Sequence, residues 1–456
     1  MAFHLTVAGS LEPLADRLAT VLAEPLDDPF TAELVAVPGG GVRAWLTAQL
    51  AERLGATRSG DGSVGAGVGD GIVANVDFVF PAALVERALG PDSGLGRWST
   101  GPLTWAVHDV LQRVGPELGQ PTDAVRARAI ADLFDRYTLY RPEMVRGWSD
   151  GRDVDSIGAP LDPHQRWQPA LWRAVQAHLG GPTDEQLLRA AVERLAGEGP
   201  DPTLPPRVVV FGLASLPTPH LRLLAALATH REVVVLAPTA SAGRWREVAD
   251  QLDELTRGAP LALPLERADE RVPVGVGSAL VTTWGRASRE ANLLLLDGTR
   301  AVGGTVVAPH PVPELPASPT LLARVQHGLR ADEAPPGPPV RGADGERSTD
   351  RRPLFDPASD GSLRWHRAYG PARQVEVLRD ALLHLLSEVD ADGAPRFEPR
   401  DIAVLCPDPG AVSALVEAAF AGDESQGVPA IAVRVADRSL RQDNPVLDTA
   451  AALLDL

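Results

Sequence analysis

Residues Arg207–Ala237 read RVVVFGLASLPTPHLRLLAALATHREVVVLA, and this stretch decides the fold class. Val208 to Phe211 and Val233 to Leu236 are unbroken apolar runs with no polar alternation, the pattern of strands buried on both faces. Leu221 to Ala228 between them reads as a helix. Buried strands joined by a helix predict parallel pairing and an α/β class.

Outward from this stretch the alternation recurs. Leu5 to Ala8 reads as a short strand, Ser10 as an N-cap, and Leu11, Leu14, Leu18, Val21 and Leu22 follow at helical spacing. Glu33 to Val37 is a second strand, followed by Pro38-Gly39-Gly40-Gly41. A helix then carries Val42, Trp45, Leu46, Leu50 and Leu54 on one face, with Gly55 as its stop. Residues 56–71 are Gly-rich and loop-like, before the apolar segment Ile72 to Phe80. From 82 to 204 the pattern is mostly helical, with Trp105, Trp148, Trp167 and Trp172 in amphipathic stretches. Residues 329–361, with Ala-Pro-Pro-Gly-Pro-Pro and many charges, read as a linker. Beyond it come strands at Leu363–Arg367, Ile402–Leu405 and Ile431–Val435, a helix at Arg373–Ser387, and a helix-like run from Val446 to Leu456. The expected organisation is one sheet domain built from 1–81 and 205–328, a helical insertion at 82–204, and a second α/β domain that starts at 362 and is cut short at 456.

Composition narrows the chemistry. All 43 basic residues are arginine, so the chain has no lysine. A P-loop nucleotidase needs the Lys of G-x-x-x-x-G-K-[ST] on the phosphates, and Schiff-base chemistry needs lysine too. One cysteine, Cys406, excludes an internal disulfide and any cluster needing several thiolates; it is expected to be a buried small residue. No apolar run reaches the ~18 residues of a membrane span, and no signal-peptide pattern opens the chain, so a cytoplasmic protein is expected. A net charge of -17 argues against a generic, whole-surface nucleic-acid binder but leaves room for a lined channel.

Several motifs fail on inspection. Strand, Gly-rich turn and helix around Pro38, Gly39, Gly40 and Gly41 form a place for phosphate, but Val42, Arg43 and Ala44 stand where Lys and Ser/Thr would follow. A plain tight turn and a degenerate phosphate loop both fit these residues. Phe211 and Gly212 end a strand where an active helicase carries adjacent acids for Mg²⁺. No working ATPase is expected. Gly60-Asp61-Gly62-Ser63-Val64-Gly65 matches G-x-G-x-x-G but follows a helix and precedes a strand, the reverse of a dinucleotide site. No metal-ligand spacing occurs among the histidines.

Asp132-Leu133-Phe134-Asp135-Arg136-Tyr137, followed by Tyr140-Arg141-Pro142, is dense in charge and aromatics. Arginine beside aromatic rings suits phosphate contact with base stacking. A solvated helix face with Asp–Arg pairs fits the same residues.

Taken together and in order, several segments resemble the RecC family, the gamma subunits of exodeoxyribonuclease V. They include Leu26-Asp27-Asp28-Pro29-Phe30, Asn75-Val76-Asp77-Phe78, Asp132 to Pro142, Trp167-Gln168-Pro169-Ala170-Leu171-Trp172 and Trp284-Gly285-Arg286. Arg373 to Leu378, Asp401 to Leu405 and Asn444-Pro445-Val446-Leu447 continue the series. The resemblance implies a superfamily-one helicase-like fold without ATPase: a RecA-like parallel sheet with a helical insertion, then the start of a second such domain. It implies assembly with a RecB-like helicase-nuclease and, in many bacteria, a RecD-like helicase. No cofactor is then expected in this chain, since ATP and Mg²⁺ serve the partner subunits. The family's channel guides the 3′-ended single strand from duplex ends and scans it for chi. Matching positions here are Asp132, Leu133, Asp135 and Arg141, with Arg136 among them and Phe80 nearby along the channel. Pro38, Gly39, Gly40, Ala44, Phe80 and Glu86 depart from chi-reading relatives, so the same chi sequence is not implied. A nucleoid-associated location on DNA would follow.

Two other classes compete with a non-catalytic DNA-guiding subunit. An active helicase needs the missing lysine, and an AddB-type helicase-nuclease needs both a working phosphate loop and several cysteines for an iron–sulfur cluster. A scaffold that touches protein only would suit the acidic charge.

Overall fold

The computed structural model describes residues 2–54, 57–58, 64–65, 71–90, 94, 96–200, 203–256, 277–334, 337, 356, 358–422, 427–435, 446 and 449. The chain divides into two compact units, Met1–Phe355 and Asp356–Leu456.

The first unit is built on a parallel sheet. Its strands are β1 (Phe3–Ala8), β2 (Glu33–Ala36), β5 (Val76–Val79), β6 (Arg207–Phe211), β7 (Glu232–Pro238) and β8 (Thr305–Val307), in the spatial order β5-β2-β6-β7-β1-β8. A separate two-residue ribbon pairs β3 (Thr57–Arg58) with β4 (Val64–Gly65) antiparallel. Of the G-x-G-x-x-G match, residues 60–63 lie outside the described residues and Val64–Gly65 form β4. The predicted α/β class with a parallel sheet is what the strands make. The apolar runs that predicted it, β6 and β7, are buried along nearly their whole length and pair Val208↔Val233 to Phe211↔Leu236.

Helices cover both faces, and alternate strand residues serve each face. On one face, α1 (Glu12–Leu22) and α2 (Gly40–Ala51) bury Leu14, Leu18, Leu46 and Leu50 against Val35, Val209, Phe211 and Leu236. On the other lie α3 (Pro81–Leu89), α8 (Asp184–Glu198), α9 (Thr218–Leu227), α10 (Ala242–Thr256) and α12 (Arg286–Ala301). They bury Leu84, Leu195, Leu224, Val248 and Leu296 against Leu34, Val208, Val210 and Val235. The short α11 (Ala279–Trp284) and α13 (Leu321–Ala331) complete the unit. No helix among the described residues is long and apolar enough to cross a membrane.

Between β5 and β6 the chain forms α4 (Thr100–Val114), α5 (Ala124–Tyr140), α6 (Pro142–Ser149) and α7 (Trp167–Leu179) around their own core. Its centre is aromatic. Trp172 lies 4.8 Å from Trp98 and 5.2 Å edge-on from Phe134, and Tyr137 meets Trp148 edge-on at 5.6 Å. Two of its buried indoles have partners: Trp148 Nε1 donates to Val154 O (2.7 Å) and Trp172 Nε1 to Ser149 Oγ (3.0 Å), whereas Trp98 Nε1 has none. The last helix of the predicted insertion, α8, turns back to the sheet, because Leu188, Ala191 and Leu195 belong to the sheet's core.

Local expectations differ in three places. Ser10 does not cap α1; the N-cap is Leu11 with Pro13 in the first turn. Strand β8 has no sequence signal, being three residues long with an exposed, intermediate, exposed pattern at the sheet's edge. In the second unit, α14 (Gly370–Leu386) agrees with the predicted helix and packs with α15 (Pro409–Phe420) through Val375, Leu382, Val416 and Phe420. The predicted strands at 363–367, 402–405 and 431–435 are not strands. Apolar β-formers become a strand only beside a second strand, and among the described residues these segments have no strand neighbour; Ile431 N donates instead to Phe420 O of α15. The predicted linker lies mostly outside the described residues, as does the run after Val446.

Candidate nucleic-acid interface

The turn after β2 is glycine-rich and without a side-chain cap. Gly39 is the N-cap of α2 in an extended conformation, no side chain caps the helix, and a Cβ at Gly39, Gly40 or Gly41 would meet nothing within 4 Å. The N-cap side chain therefore supplies no acceptor to the first N–H groups of α2. Val42, Arg43 and Ala44 follow without supplying a second phosphate ligand of the P-loop kind.

Parallel pairing brings Phe80 to this turn. Ala36 registers with Val79, and Val37 N donates to Val79 O at 2.9 Å, so Phe80 leaves the sheet level with Val37, the residue before Pro38. Phe80 is the N-cap of α3 and is 53% exposed. An exposed ring beside uncapped backbone N–H groups can stack a base and take a phosphate at one place.

The second group sits on α5. Asp123 caps this helix by accepting from Arg126 N at 2.8 Å. Phe134 and Tyr137 turn inward to the aromatic core, and Tyr137 Oη donates to Gln168 Oε1 at 3.2 Å. Burial pushes the Tyr137 phenol up. Asp132 pairs with Arg128 one turn earlier at 3.3 Å, and Arg136 Nε donates to Asp132 O. Leu133 is half-buried. Arg141 ends α5 and begins α6; its guanidinium is exposed and donates to Tyr140 O at 2.8 Å, while Tyr140 is itself exposed. Exposed cations and a phenol ring thus meet at the α5–α6 joint.

Burial, and then the Asp132 charge, push the Asp135 carboxyl up. Asp184, the first residue of α8, is pushed up to about 6 by burial and then by Asp135. Its Oδ1 is shielded from solvent without a hydrogen-bond partner. Sequence reading missed Asp184. Thr183 and Gln186 form a capping box that marks the start of α8, but only the packing of α8 on α5 reveals the neighbouring carboxylate.

The two groups stand on different elements. Phe80 and the Pro38–Gly41 turn form one; Asp132, Leu133, Asp135, Arg136 and Arg141 form the other. Helix α9 packs against both α3 and α5, and Arg222 of α9 pairs with Glu143 of α6 at 3.4 Å. Elsewhere, Phe211 at the end of β6 is buried, and Gly212 follows with φ +73°. No group of three His, Cys, Asp or Glu side chains among the described residues could hold a metal ion. Cys406, expected to be buried, is partly exposed and donates to Asp408 O at 3.3 Å.

Residues 3–332 match the family described as RecC, N-terminal domain. The whole chain is 33% identical over 484 residues to the RecBCD enzyme subunit RecC of Mycobacterium tuberculosis (strain ATCC 25618 / H37Rv), of which it covers 39%. It is 32% identical to that of Mycolicibacterium smegmatis and 28% to that of Escherichia coli (strain K12), again over all of this chain and 39% and 41% of those proteins. The chain spans about two fifths of the length of these curated relatives. With the family match running through the sheet, the helical block and α13, the chain belongs to the RecC family.

Proposed function

We propose that this chain is a non-catalytic DNA-guiding part of a RecBCD-type enzyme, with an inactive superfamily-one helicase-like fold. It lies along the path of single-stranded DNA unwound from a duplex end. The observation that carries this reading is that exposed Phe80 leaves the sheet level with Val37, at the strand end that leads into the uncapped Gly39–Gly41 turn. Exposed Arg136, Tyr140 and Arg141 supply a second contact of matching chemistry. Base stacking and backbone tracking tolerate sequence, as a guide for any strand requires. Scanning for chi would use the same surface, with Asp132 and Asp135 as the groups able to read base edges.

ATP and Mg²⁺ belong, on this proposal, to a RecB-like partner and to a RecD-like helicase where one is present; nothing in this chain turns over nucleotide. Co-purification with RecB from the same cell, followed by ATP-dependent digestion of linear duplex, tests the assignment. Stable association without ATP hydrolysis by this chain alone is the expected result. Intrinsic ATPase activity, or no association by the full-length protein, would overturn it.

A scaffold that touches protein alone is the second reading, favoured by the three neighbouring carboxylates on α5 and α8. It predicts no salt-dependent binding of single strands.

A further inference from the structure

Helix α13, like the six-residue α11, is weakly packed in the first unit. It has no buried residue, and it follows the Pro-rich, irregular segment 308–320. Apolar burial therefore contributes little to holding it in place. Its end is held differently. Asp332, in the left-handed region at φ +57°, places its carboxylate against Arg244 of α10 at 2.9 Å. The two side chains are only 9% and 6% exposed. Ser278 N donates to the same carboxylate at 3.0 Å, and Ser241 Oγ donates to Arg330 O at 3.0 Å. A Cβ on Gly243 would run into the Ala331 carbonyl, so the two backbones meet where only glycine fits.

The pocket that takes this carboxylate is complete without it. Arg244 is oriented by Glu247 at 2.6 Å and by Thr282 Oγ1 at 2.7 Å. It lies just beyond the C-terminal end of β7. There β1 and β7 are neighbours whose following helices, α1 and α10, cover opposite faces of the sheet. Doubly wound sheets bind ligands at such a reversal. The floor here is polar and buried: Thr239 Oγ1 accepts from Asn292 Nδ2 at 3.2 Å, and Asn292 Oδ1 has no hydrogen-bond partner.

We propose that residues 308–334 form a strap, latched beside the β1/β7 crevice by Asp332 acting as a tethered anion in the Arg244 pocket. The strap occupies the approach to the crevice, and its release frees α13 while leaving the sheet intact. This inference does not depend on DNA binding.

Hydrogen–deuterium exchange on the full chain tests it. In Asp332→Ala, amides of 321–331 should exchange at least about tenfold faster, with β1 and β7 unchanged, as local opening requires. Ser241→Ala should produce a smaller, roughly threefold effect on the same residues. In the unaltered chain, high acetate should compete with the Asp332 carboxylate for the Arg244 pocket and speed exchange of 321–331, whereas chloride at equal ionic strength should not, and Asp332→Ala should show no further effect of acetate. Unchanged exchange of α13, or equal loss of protection in β1 and β7, would overturn the strap. Failure of acetate to speed exchange of 321–331, or an equal effect of chloride, would overturn the tethered anion.

Discussion

Arg207 Nη1 lies 2.9 Å from Glu33 Oε1 while its Nε lies 2.9 Å from Glu232 Oε2. One guanidinium thus bridges the starts of β2, β6 and β7, three adjacent strands of the sheet. The same Nη1 also donates to Val21 O and Glu24 O, which ties the end of α1 to this edge. Arg207 is buried, and burial outweighs its attraction on Glu33, whose carboxyl is pushed up. Such a pair specifies register more than it adds net stability.

Arg207→Ala leaves Glu33 buried without its partner and should cost about 3 to 5 kcal/mol, read as a lowered midpoint of urea unfolding. A change below about 1 kcal/mol would show that water replaces the guanidinium easily.

Asp184 predicts a pH effect with a definite sign. Its folded value of about 6 lies above the 3.8 of the free group. Between these values the folded state holds more protons, so this residue makes stability fall as pH rises from about 4 to about 6. Allowing for partial exposure, the loss is roughly 1 to 2 kcal/mol. Asp184→Asn should remove that slope and stabilise the chain at pH 7; denaturant titrations at pH 4.5 and pH 7 on both proteins measure it. An identical slope in the two would refute the assignment.

Arg136→Ala and Arg141→Ala should weaken single-strand binding by the assembled enzyme. Each should reduce the dependence of log affinity on log salt by about 0.7 if it meets one phosphate. An unchanged slope in the double variant would remove the α5–α6 joint from the interface.

Phe80→Ala should behave differently. Loss of a stacking platform costs about 1 to 3 kcal/mol of single-strand affinity and leaves the salt slope as it was. A changed slope with no loss at high salt would make Phe80 a spacer for the Gly39–Gly41 turn and no stacking partner.

The sequence by itself determined the α/β class. The runs Val208–Phe211 and Val233–Leu236 are apolar at every position, and only strands covered on both faces tolerate that. It also revealed the missing lysine and the carboxylate-free end of β6, because an absent residue type is visible without any geometry. The candidate residues Phe80, Asp132, Asp135, Arg136 and Arg141 were legible as chemistry on their segments. Their neighbourhoods were not. Phe80 comes level with Val37 through strand pairing across 43 positions of sequence, and Asp135 meets Asp184 through helix packing across 49. Register and packing are set by the sum of many contacts along whole elements, so no local pattern announces them. The same reason hides β8, which is a strand only because β1 offers it an edge, and leaves the predicted strands of the second unit without partners. It also hides the anchoring of α13, where a weakly apolar helix stays in place because Asp332 finds Arg244, 88 residues away in the chain.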